Sequence, residues 1–162
     1  MAENNTLKRE IILILVGSII SVTTAYLTSS FNAKREDKKA NVQKKLELND
    51  QLSKDLGKRL FLTYSLYKRN HDKVSTSNDA ISQYRQSKED WNIKIYSYQS
   101  LLKHYYGNQT NVEFIKYVYN PLIELGQSVE YNKTDSLFKV KYSEQQKRNI
   151  QFISKIYDLT EK

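Results

Sequence analysis

Lys103-His104-Tyr105-Tyr106, followed at once by Asn108 and Gln109, is the densest run of chemistry-bearing side chains in the sequence. It puts a cation, an imidazole and aromatic faces on consecutive residues, and Lys116, Tyr117 and Tyr119 come soon after. Aromatic rings stack on nucleobases while Lys and His meet phosphates, so the combination reads as a site for an anionic, base-bearing ligand. Lys139-Val140-Lys141-Tyr142 repeats the basic–aromatic pattern and is a second candidate. The competing account gives Tyr105 to an apolar seam and leaves the others decorating a helix end. Catalytic patterns are missing. His71 and His104 are too few and too far apart for a dedicated metal site, and there is no glycine-rich phosphate loop, nucleophile elbow or H-E-x-x-H. With no cysteine there is no disulfide, thiolate nucleophile or cysteine zinc site. The adjacent acids Glu36-Asp37 and Glu89-Asp90 sit among other charges and read as solvated surface. The chain is expected to be non-enzymatic, without cofactor or metal.

Helices must position these residues, because 4 Gly and 1 Pro in 162 residues disfavour a loop-rich or all-β fold. The expected fold is mainly α: one N-terminal transmembrane helix, then a small cytosolic helical domain with a long antiparallel helix pair. Residues 1–10 form a short tail, 11–31 the transmembrane helix, 32–45 a basic juxtamembrane helix and 46–162 the cytosolic domain.

The anchor is Ile11–Phe31, which holds no charged residue, His, Asn, Gln or Pro. At about 1.5 Å per residue it reaches about 30 Å, the thickness of a bilayer's hydrocarbon core. A buried core helix would show a polar face over such a length. A cleaved signal peptide would have a shorter apolar run and an A-x-A-like site, whereas here the run fades through Thr23, Thr24, Thr28, Ser29 and Ser30. Lys34, Arg35, Lys38, Lys39, Lys44 and Lys45 follow the span, against Lys8 and Arg9 before it. That asymmetry keeps the C-terminal domain in the cytoplasm, under a cell inner membrane, with Lys34, Arg35, Lys38 and Lys39 on lipid headgroups. From Asn32 to Lys73 there are 12 Lys or Arg against 6 Asp or Glu, so most of the net charge of +8 lies just past the span. Gly17, Ser21, Ala25 and Ser29 recur every four residues on one helical face, where backbones approach closely, and mark a homo-oligomerisation seam.

Past the span, Val42, Leu46, Leu52, Leu56, Leu60, Tyr64 and Tyr67 form one apolar stripe of a helix running to Arg69. Residues 80–106 form a second helix with Ile81, Tyr84, Lys88, Trp91, Ile95, Tyr98, Leu102 and Tyr105 on a three–four seam, ended by Gly107. Thr110–Glu113 reads as a capping box opening a third helix, which Pro121 ends or kinks before a short continuation to Leu125 and Gly126. Phe138, Val140 and Tyr142 alternate with lysines, so residues 129–142 form a short β-hairpin or an irregular segment. Ser143–Gln146 reads as a second capping box, opening a final helix with Ile150, Ile153, Ile156 or Tyr157, and Leu159 inward.

The layout of apolar span, basic exit and compact, Tyr-rich domain resembles the small CRISPR-associated membrane effectors that respond to cyclic oligoadenylate. The resemblance implies a cyclic oligoadenylate ligand, symmetric assembly and membrane disruption in antiviral defence; it lies in architecture and transfers no site residue. The residues leave two functions open. One is a membrane effector whose cytosolic domain binds an anionic signal through Lys103, His104, Tyr105, Tyr106, Lys116, Lys139 and Lys141. The other is an anchored interaction protein whose coiled-coil-like helices dock a protein partner.

Overall fold

The computed structural model describes the backbone of residues 3–72, 78–131 and 136–160, and the side chains within these stretches except those of 3–17, 19, 72, 78 and 80. The protein is almost entirely helical, with no strand among the described residues. Its helices are α1 (Glu3–Asp72), α2 (Asn78–Tyr106), α3 (Asn108–Glu113), α4 (Asn120–Glu130) and α5 (Phe138–Thr160), with a π-helical turn, Phe114–Tyr119, between α3 and α4. The chain divides into two units, Met1–Gln43 and Lys44–Lys162.

In the first unit, Ser21, Ala25, Ser29, Lys34, Arg35, Lys38 and Lys39 are exposed on α1. Among the described residues no helix is long and apolar enough to cross a membrane. The side chains of 11–17 and 19, most of the apolar half of the expected span and Gly17 of its small-residue face, lie outside the described residues.

The second unit is a four-helix bundle: the C-terminal part of α1, then α2, then α3 through α4 as one helical run, then α5. Directions alternate. Asn49 pairs with Tyr106 near the start of α1's part of the bundle and Arg59 with Tyr84 further along, so α2 runs back along α1. Likewise Asp50 meets Tyr157 and Tyr67 stacks on Phe138, which sets α5 antiparallel to α1. Leu48, Leu52, Leu56 and Leu60, four apart, are buried, and so are Leu62 and Leu66, off the expected stripe. α1 buries this wide arc because it has neighbours on more than one side. On α2, Tyr84, Trp91, Ile95, Tyr98 and Leu102 are buried. Ser87 takes the inward slot expected of Lys88, whose ammonium pairs instead with Glu130 at 2.7 Å.

Several local expectations are corrected. Residues 138–142 belong to α5 and form no strand, while residues 132–135, the centre of the expected hairpin, lie outside the described residues. Phe138 is buried and Tyr142 half-buried, one helical turn apart, with Val140 exposed between them, so a helical period accounts for the alternation and no partner edge is needed. Neither capping box forms. Thr110 lies inside α3, with its hydroxyl on the Tyr106 carbonyl at 3.1 Å, and Gly107 (φ 88°) stands before the helix. Ser143 lies more than a turn inside α5.

Nor does Pro121 end the third helix. The missing Pro N–H and the ring's clash with an upstream carbonyl coincide with the π turn, where Asn120 N–H reaches back to the Ile115 carbonyl. Gly126 lies inside α4 rather than at its end. Ile150 is exposed, contrary to its expected inward place, and Gln145, Asn149 and Thr160 point inward instead. Gln145 donates to the Val118 carbonyl of the π turn at 3.0 Å, which gives that polar side chain its reason to be buried.

Candidate functional site

The expected ligand residues are spread over the bundle. Lys103 and His104 are exposed at the C-terminal end of α2. Tyr105 packs half-buried against the core, with the His104 ring edge-on to it at 4.8 Å. Tyr106 serves the fold: its hydroxyl donates to Asn49 Oδ1 at 2.9 Å and lies 2.8 Å from Thr160 Oγ1, while Asn49 Nδ2 donates to that same Oγ1 at 3.0 Å. This knot closes one end of the bundle, and Lys45 sits 5.5 Å above the Tyr106 ring. Lys139 and Lys141 are exposed in the first turns of α5, at the opposite end. About 30 Å of helix separates them from Thr160, so they share no site with Lys103 and His104.

Lys116 is better placed. It sits 5.0 Å over the exposed Tyr117 ring on the π turn. Together with Arg148, Phe152 and Lys155 of α5 and Glu113 it borders a groove of about 550 Å³. Lys155 pairs with Glu113, which also accepts from Gln109. The Lys155 hydrogen bond first, and that of Gln109 second, hold the Glu113 carboxyl below its ordinary range. Arg148 lies 3.8 Å from Glu144. Two of the groove's three cations thus already face carboxylates.

A different groove has a mostly apolar lining. It runs between α1 and α5, holds about 540 Å³, and is floored by Leu56, Gly57, Leu60, Tyr142, Ile150 and Ile153. Phe61 (64% exposed) and Ile150 (63%) stand open to solvent along it. Gly57 creates room: a methyl group there would meet nothing within 4 Å. Burial, and second the neighbouring Tyr64, raise the Tyr142 phenol above its ordinary value. No Asp or Glu lines this groove. At its end Tyr157 donates to Asp50, and that bond, with burial second, pushes the phenol up to about 12.

Phe61 is absent from the residues the sequence singles out, and Ile150 is expected from the sequence in the core and not at an open surface. Phe61 follows Leu60 out of register with the apolar stripe, which is the pattern of an apolar residue on the outer face. Among the described residues no group of His, Asp or Glu is placed to hold a metal ion.

Comparison with protein-family models, with curated proteins and with solved structures finds no match to this chain.

Proposed function

We propose that this is a single-pass membrane protein, anchored by Ile11–Phe31 with its bundle on the cytoplasmic side, that docks a protein partner through the groove between α1 and α5. The observation that carries the reading is that open groove: apolar floor, room at Gly57, and Phe61 and Ile150 exposed along it. Exposed apolar surface in a concave setting marks interaction sites, and a groove between helices takes an amphipathic helix. The anchor rests on the uncharged run and the lysines behind it. The test is a photo-crosslinking residue at position 150 of the full chain in cells, with position 93, exposed on α2, as control. A discrete protein adduct from 150 but not 93, in a membrane fraction that only detergent dissolves, is expected. Release by carbonate overturns the anchor, and the lack of an adduct overturns the docking.

The second reading, an effector that binds cyclic oligoadenylate, is favoured by Lys116 and Tyr117 beside Arg148. It expects micromolar binding by the detergent-solubilised chain, weakened about tenfold in Lys116→Ala; unchanged affinity in that variant removes the groove from consideration.

A further inference from the structure

We infer that the occupant of the α1–α5 groove is an amphipathic helix of another protein with Asp or Glu flanking its apolar stripe. The inference rests on the docking reading above and adds the partner's chemistry.

By helical spacing a lysine flanks the apolar floor on each helix, while the acids beside it, Asp50 and Asp158, lie at its Tyr157 end. Lys54 precedes Gly57 by three residues on α1, and Lys147 precedes Ile150 by three on α5, so each sits beside the groove residue of its own helix. Both are exposed, and neither is ion-paired to a described residue. Asn149 adds a polar residue to the floor. It lines the groove, is 7% exposed, and its Oδ1 accepts from Gln145 at 2.7 Å, while its Nδ2 has no hydrogen-bond partner among the described residues. That donor is itself enclosed, so Asn149 marks the polar edge of the floor and the charge of the flanking lysines carries the partner's chemistry.

The groove's shape selects a helix. Its walls are two helices whose backbones are hydrogen-bonded internally, so there is no sheet edge to receive a strand. On α5 the lining runs from Tyr142 to Tyr157, about 22 Å, or roughly four turns of a partner. Charge argues against a second copy of this chain seated here. A two-fold interface would set the same patch against itself, placing Lys54 and Lys147 against a surface that carries the same two lysines.

The experiment is to map, by mass spectrometry, the peptide joined to the photo-crosslinker at position 150 of the full chain. The expected peptide has apolar residues at i, i+3, i+4 and i+7 with acidic neighbours. Its adduct should fall at least fivefold in the Lys54→Glu/Lys147→Glu chain and in Gly57→Leu, all with unchanged circular dichroism. A peptide from this same chain, a lipid adduct, a neutral or basic segment, or a yield indifferent to the charge reversal overturns the inference. Absence of any adduct would instead sink the docking reading on which it rests.

Discussion

Gly57 and Gly126 both lie in helices of the same bundle, and their surroundings differ completely. At Gly126 a methyl group would come within 3.0 Å of the Tyr84 hydroxyl and 3.2 Å of Arg59 Nη2. At Gly57 it would meet nothing. The first glycine lets α4 close on α1 and α2. Tyr84 Oη donates to the Gly126 carbonyl at 3.3 Å, and Arg59, only 2% exposed, donates to Tyr84 Oη at 3.2 Å and lies over its ring at 4.4 Å. No carboxylate pairs with that guanidinium among the described residues, and its Nε is unpaired. One glycine thus serves packing around a buried cation and the other leaves a surface vacant. A glycine therefore says little until its neighbours are known.

The comparison can be broken on either side. Leu52, fully buried beneath the closed face, should cost about 2–5 kcal/mol when cut to Ala, measured by urea unfolding. Gly126→Ala should cost about 1–3 kcal/mol, because a rigid ring and a buried guanidinium must give way. Gly57→Ala should go the other way and raise stability by about 0.5–1 kcal/mol, the usual gain of Ala over Gly within a helix. If both glycine changes were destabilising, the vacancy at position 57 would be disproved.

The weakest expected effect is on pH. Tyr157 donates to Asp50 and Tyr98 to Asp55, and both phenols are raised, Tyr157 to about 12 mainly by its Asp50 bond and Tyr98 further, mainly by burial. A group whose folded pKa lies above its unfolded value of about 10 stabilises fully below pH 10 and loses that contribution as pH rises through the folded value. The denaturation midpoint should therefore fall between pH 10 and 12, and less steeply in Tyr157→Phe.

Helix content and the α2 seam were legible because Tyr84, Trp91, Ile95, Tyr98 and Leu102 keep a period set by one dominant packing direction. The wide buried arc of α1 was not, since an arc shared among several neighbours blurs any single stripe. Phe138–Tyr142 misled because a five-residue alternation fits both periods, and the turns that follow decide. Tyr105 was legible from its place on the α2 seam, but Tyr106 could be placed only with tertiary partners in view: nothing local reveals that it reaches Asn49 and Thr160, distant in sequence. Gly57 leaves no signature at all, since a vacancy is defined by what distant residues fail to fill.

The π turn at Phe114–Tyr119 has a further consequence. Such a turn carries one residue more than the α-helix it interrupts, and each residue advances a helix by about 100°. The wider turn takes up that supernumerary residue, so Leu122, Leu125 and Val129, all buried, keep their inward azimuth in spite of it. Deleting one position between 114 and 119 would let the turn close as ordinary α-helix with that row still facing inward, whereas deleting a position within α4 would swing every residue beyond it by about 100° toward water.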